Sequence, residues 1–149
     1  MSTLIRDVSI SAYLSKRSDL PRYHVRPRSE LIMMTAYHLA REHDDHLNIV
    51  YIAWAMLRVD GSIAKDLLRA VGLTEEKMQA ACAVPSMHQL DLDRFFDRLV
   101  ETVKARKADL IGTEHVLVAA LTDDLLRARL TVWGVDVRAL QQQANTITR

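Results

Sequence analysis

Two seven-residue segments, Leu68-Arg69-Ala70-Val71-Gly72-Leu73-Thr74 and Leu130-Thr131-Val132-Trp133-Gly134-Val135-Asp136, lie 62 positions apart and place apolar, glycine and capping residues in the same order. An echo of this kind constrains a fold before any single element does, because an echoed segment marks an echoed unit of structure. Gly72 and Gly134 stand where a helix end most often needs a residue at positive φ, and Thr74 and Asp136, two residues on, are favoured helix N-caps. Each segment therefore reads as the end of one helix and the start of the next.

Apolar residues at helical spacing fill the stretches between. From Ser29 onward Leu31, Met34, Thr35, His38 and Leu39 mark one stripe, closed by the polar run Glu42-His43-Asp44-Asp45-His46. A second helix is predicted from Asn48 to Leu57, and a third from Ile63 to Val71 behind the caps Asp60 and Ser62. A fourth opens at Thr74, with Glu75 and Glu76 suited to the positive end of its dipole, and runs through Ala83. Pro85-Ser86 breaks the chain, and the order then returns: a long helix Asp91 to Ala108, an apolar one Thr113 to Leu121, a third Asp123 to Val132, and a fourth capped by Asp136. In the apolar second helices the offset becomes 64, pairing Ile52 with Val116 and Leu57 with Leu121.

The predicted fold is all-α: two pseudo-symmetric four-helix repeats, about 25–84 and about 89–145, in a compact eight-helix bundle. Residues 1–24 form an N-terminal extension. Within it Leu4, Ile5, Val8, Ile10, Ala12 and Leu14 partly alternate with polar residues, as in a short strand or extended peptide, and Ser15-Lys16-Arg17-Ser18-Asp19 reads as a connector. With 149 residues, 49% of them hydrophobic, the chain can bury one sizeable core.

Twenty Lys and Arg stand against 19 Asp and Glu, a formal charge of +1, so no global field draws nucleic acid or an anionic membrane. Arg22, Arg26 and Arg28, with Tyr23 and His24 between them, read as a solvated connector rather than a phosphate-binding arm. The longest apolar stretch, Ile49 to Leu57, is far shorter than a membrane span, and Met1 to Tyr13 lacks the apolar run of a secretory signal. The single Cys82 can form no internal disulfide and reads as a half-buried helix residue, so a cytoplasmic location is expected.

Neither a Gly-x-x-x-x-Gly-Lys-Ser/Thr loop nor a Gly-x-Gly-x-x-Gly turn occurs, which excludes the nucleotide chemistry those loops support. His43, Asp44, Asp45 and His46, with His38, are the only cluster of metal-ligand residue types, and they read as a solvated helix end. No nucleophile can be placed against a base from the sequence. The expectation is a non-catalytic protein with no metal and no cofactor. Met33, Met34, Met56, Met78 and Met87 fit ordinary core, with an adaptable binding groove as the alternative.

The segment Ile111-Gly112-Thr113-Glu114-His115-Val116-Leu117-Val118-Ala119-Ala120-Leu121 resembles the Ile-Gly-Thr-Glu-His-Leu-Leu-Leu-Gly-Leu-Leu motif of the Clp amino-terminal repeat domain. Asp60-Gly61-Ser62-Ile63-Ala64 is similar to that family's Gly-Glu-Gly-Ile-Ala loop, and Trp133-Gly134-Val135-Asp136 to its Leu-Gly-Val-Asp end. The resemblance covers about Val25 to Gln143. It implies two four-helix repeats that receive protein or peptide segments through a hydrophobic groove, here without the ATPase that such domains serve. An adaptor, regulator or decoy in Clp-dependent proteolysis follows from it, with a Clp ATPase or its protease ring as partner and a homodimer as one possible assembly. Because such domains are targets of cyclic-peptide antibiotics, it also implies an alternative, sequestration of small hydrophobic or cyclic peptides.

In the ClpC branch, paired helix-start glutamates help bind phosphorylated arginine, which makes Thr113 and Glu114 the implied ligand-binding residues here. The first-repeat counterpart is Asn48-Ile49-Val50-Tyr51, which carries neither Thr nor Glu, and the assisting threonine positions fall on Val25 and Gln89. His115, beside Glu114, is expected to be buried and hydrogen-bonded.

Overall fold

A computed structural model describes residues 4–84 and 88–147. A 3-10 turn at Ile5–Val8 leads into α1 (Ile10–Ser15), and a two-residue strand β1 (His24–Val25) precedes α2 (Pro27–Glu42). Then follow α3 (Ile49–Arg58), α4 (Ile63–Ala70), α5 (Glu75–Ala81) and α6 (Leu92–Ala105). A second short strand, β2 (Leu110–Ile111), precedes α7 (Thr113–Ala120), α8 (Asp124–Val132) and α9 (Val137–Thr146). The fold is an all-α bundle. The predicted break at Pro85-Ser86, and Met87, lie outside the described residues.

Local chemistry explains where most helices begin and end. Asn48, Ser62, Thr74, Asp91, Asp123 and Asp136 each accept a backbone N–H from the first turn of the helix they precede, filling donors that have no intrahelical partner. Ser62 rather than Asp60 caps α4, and Asp60 pairs instead with Lys65. The echoed segments form the same turn twice. Gly72 at φ 89° donates to the Arg69 carbonyl at 3.0 Å and Leu73 to Leu68 at 3.1 Å. Gly134 at φ 79° donates to Thr131 at 3.0 Å and Val135 to Leu130 at 2.9 Å. These paired bonds define the Schellman motif, whose positive φ a side chain with a Cβ rarely adopts.

At the centre lie α3, buried from Ile49 to Leu57, and α7, buried along its whole length. Their apolar side chains join one continuous cluster with Ile32, Met33, Phe96, Leu99 and Leu140. Each such side chain taken fully out of water contributes about 1.5–3 kcal/mol, so the two apolar runs define the core. The strands β1 and β2 pair in parallel, His24 opposite Leu110 and Val25 opposite Ile111, which ties the entrance of α2 to the entrance of α7. The Ser29 hydroxyl, fully buried, adds a bond to the Ile111 carbonyl at 3.2 Å.

Three expectations need correction. Residues 5–15 are helical rather than extended: Ser9 caps α1, and Val8, Ile10 and Tyr13 enter the core on elements packed against α2 and α6. Alternation over so short a segment cannot separate a strand from a 3-10 turn running into a helix; burial against α2 and α6 decided it. The bundle therefore has nine α-helices among the described residues, not eight. Of the expected stripe on α2, Leu31, Met34 and His38 face outward, Thr35 is half-buried and Leu39 is buried, and Ile32, Met33, Ala36, Tyr37 and Ala40 face in with it. Two stripes on that helix are apolar, and the partner helices chose between them. Cys82 is 4% exposed, fully rather than half buried.

Candidate functional site

The start of α7 is assembled from four consecutive residues with different tasks. Gly112 is the N-cap and has no side chain to offer its orphan donors. His115 supplies the missing bond in reverse: its Nδ1 accepts the Gly112 N–H at 2.9 Å. The ring is therefore neutral with its proton on Nε2. Burial holds the His115 pKa below the usual imidazole value, with Glu114 pulling it up and Arg106 pushing it down. The ring is 3% exposed, so the buried, hydrogen-bonded histidine expected from the sequence is what the fold contains.

Thr113 Oγ1 accepts the buried Ala64 N–H at 3.4 Å. Ala64 lies in the first turn of α4, so this hydroxyl satisfies another helix's orphan donor. Glu114 folds back over Gly112, whose missing Cβ leaves the space that its carboxylate fills. The residue is 5% exposed, and Arg106 is the cation that acts on this corner. Arg106 itself donates to the Ala144 carbonyl at 2.6 Å and the Asn145 side chain at 2.8 Å at the end of α9, where a cation suits the negative end of the dipole. Thr113 and Glu114 thus sit together, and both are enclosed by the fold.

The first-half counterpart is built differently. Asn48 Oδ1 takes the Val50 N–H at 2.9 Å, and Tyr51 donates to Asp45 at 2.7 Å. Val50 is 5% exposed and brings no charge to the start of α3.

The histidine and aspartate cluster does not converge. His43 donates from Nδ1 to the Leu39 carbonyl at 2.8 Å and packs its ring near Tyr51 and Trp54. Asp45 accepts from Tyr51 and from the His46 N–H, and His38 points outward beside Tyr37. Among the described residues no group of three His, Cys, Asp or Glu could hold a metal ion. Met33, Met56 and Met78 are fully buried core, and Met34, at 40% exposure, stands apart from them; these methionines line no common groove. Burial pushes the Cys82 thiol up to about 11, which leaves it protonated and unreactive at neutral pH. Arg28 donates to the Asp60 carbonyl at 3.0 Å.

One concave feature was not legible in the sequence. Where the amino ends of α3, α6 and α8 meet, a cleft of about 420 Å³ opens over Ile49, Leu90, Phe95 and Leu125, with Arg94 and Asp124 exposed at its mouth. One wall is the start of α3, from the first half of the chain, and the others come from α6 and α8. Arg98 props the rim by donating to the Thr122 hydroxyl at 2.8 Å and its carbonyl at 3.3 Å. Asp91 and Asp123 spend their carboxylates capping α6 and α8. An apolar floor with two oppositely charged residues at the mouth suits an apolar side chain delivered by a polar backbone.

No protein-family model matches the chain, and no curated protein matches it. The cleft residues come from three separate segments, 48–49, 88–98 and 119–125, and Phe95 on its own reads as a core residue of an amphipathic helix. The Arg94 and Arg98 pair, one turn apart beside Phe95-Phe96, is the one local signal that could have pointed there. No described helix is long and apolar enough to cross a membrane.

Proposed function

We propose that this chain is a non-catalytic receiver of protein or peptide segments, a relative of the Clp amino-terminal double-repeat domain that works as an adaptor, regulator or decoy. The observation that carries the reading is the cleft between the two halves of the chain, apolar at Ile49, Phe95 and Leu125 and charged at Arg94 and Asp124. Anchoring an apolar side chain over such a floor, with polar contacts at the rim, is how grooves of this type hold extended or helical segments. The echoed Schellman turns and the recurrence of a wholly buried apolar helix, α3 and then α7, support the two-repeat reading. Glu114 folds back over Gly112 rather than into the cleft, which favours recognition in the cleft over a phosphoarginine contact at α7.

The test is binding of fluorescein-labelled, permanently unfolded casein, followed by anisotropy, to the native chain and to Arg94→Glu and Leu125→Asp. Arg94 is exposed at the mouth, and Leu125 is a half-buried floor residue at the edge of the core, so the melting temperature of each variant is measured alongside binding. Saturable binding weakened by about tenfold or more in both variants is expected, as for a residue anchoring an interface. Equal binding by all three proteins removes the cleft as the receiving surface, and no binding by the native chain removes the receiver reading. Co-purification of a Clp ATPase with the native chain, lost in the same variants, would support the adaptor role.

A second reading draws on the same cleft. At about 420 Å³ it falls within the range of small-ligand pockets, so sequestration of a small hydrophobic or cyclic peptide is the alternative. A rise in melting temperature with such a compound, and none with the casein chain, would favour it.

A further inference from the structure

We infer that residues 4–17 are a built-in, exchangeable occupant of a groove between α2 and α6, and that an outside segment with the same apolar spacing and a basic residue four positions after the aromatic can replace them. The inference rests on the receiver reading, because it assigns this groove as an extension of the same cleft.

Four observations carry it. The segment is held by few side chains: Val8, Ile10 and Tyr13 enter the core, Tyr13 packing against Phe96 of α6 with ring centroids 5.1 Å apart. Its polar attachments are two clasps at the surface. Glu30 on α2 accepts from the Ile10 N–H at 2.7 Å, the Ser11 N–H at 3.0 Å and the Ser9 hydroxyl at 3.1 Å. Asp97 on α6 accepts from the Tyr13 hydroxyl and, at 3.0 Å, from Arg17.

Clefts also flank the segment on two sides. One cleft, about 410 Å³, lies between it and the connector at Ser18, Leu20 and Tyr23, and another, about 380 Å³, lies between Arg6, Asp7 and Lys16 and the start of α6. Finally, the second of these clefts shares Gln89, Leu90 and Asp91 with the receiving cleft, so lifting the segment would lengthen the groove from Leu90 along α6 to Phe96. A six-residue helix has almost no stability away from its groove, so once the clasps open the segment leaves as a flexible chain. Its pattern, Val8, Ile10, Tyr13 and Arg17, describes the partner: an amphipathic segment with one aromatic anchor and a cation placed to reach Asp97.

The test uses the full chain carrying a site-specific protease sequence in the exposed turn at Ser18, cut after folding, and a fluorescein-labelled peptide of residues 4–17 as probe. The cut protein should exchange its own segment for the probe, saturably and in competition with unlabelled peptide, while the uncut chain should not take it up. The uncut Tyr13→Ala/Arg17→Ala variant, whose own segment has lost the Asp97 clasp while the groove keeps Glu30 and Asp97 for the probe, should take up the probe at least about tenfold more tightly than the uncut native chain. A cut protein that keeps its segment through prolonged dilution and melts in a single step overturns the inference. So does a released segment that the probe fails to replace, or exchange seen only between two copies as a concentration-dependent dimer with no uptake of probe. The readout contains no casein, so its failure leaves the receiver reading standing, and failure of casein binding leaves exchange of the segment measurable.

Discussion

The Thr113 hydroxyl and the Ala64 N–H meet at 3.4 Å inside the core, so the first residue of α7 completes the amino terminus of α4. A motif residue that resembles a ligand contact thus serves as a joint between helices from the two halves of the chain. Replacing Thr113 by Val keeps the shape and removes the acceptor, leaving a buried donor unmet. We expect a loss of about 1–3 kcal/mol in urea unfolding with an unchanged m value. Thr113→Ser should recover most of it, and equal stability of Val and Ser variants would refute the joint.

Gly112 has an ordinary extended backbone, φ −103°, so a side chain there costs nothing in backbone strain. What an added Cβ meets is the Glu114 carboxylate. Gly112→Ala should therefore destabilise the native protein, and in a Glu114→Ala background the same change should be neutral or stabilising by about 0.4–1 kcal/mol, because it restricts the unfolded chain. A double-mutant cycle reads the coupling directly. Additive effects would show that the glycine is there for another reason.

The neutral ring of His115 predicts a pH dependence. Burial depresses its folded pKa below the unfolded value of 6.5, so below that value the unfolded state binds the extra proton. Stability is fully present above pH 6.5 and is lost as pH falls from there toward the depressed folded value. His115→Gln, whose amide oxygen can still accept the Gly112 N–H, should flatten the stability profile below pH 6.5. A profile of unchanged slope would place the titration elsewhere.

Cys82 should report on opening of the fold. With its thiol raised to about 11 by burial and 4% of its surface exposed, it should resist alkylation at pH 8 until the protein opens. The rate of modification should then rise with denaturant in step with unfolding. Rapid labelling of native protein would contradict the burial.

How far the sequence reached can be followed residue by residue. Thr74 and Asp136 cap the helices they were expected to cap, and Asn48, Asp91 and Asp123, expected as first helical residues, cap theirs; such ends are legible because a cap is a bond between a side chain and a backbone two or three positions away. Gly72 and Gly134 were legible for the same reason, since positive φ is a local demand. The apolar runs at α3 and α7 showed the core because no surface helix is hydrophobic on every face. Leu31 and Met34 misled, since a helix with two apolar stripes does not record which one its neighbours will cover.

The chain alone therefore determined the helices from α2 onward, most of their caps and the identity of the central pair, all of which depend on residues within a turn or two of one another. Only the tertiary structure decided that residues 5–15 fold as helix against α2 and α6, that Thr113 and Glu114 are enclosed, and that Ile49, Phe95 and Leu125 share a cleft. Each of those outcomes depends on contacts between segments far apart in the chain, whose burial outweighs local preference and leaves no local pattern to read.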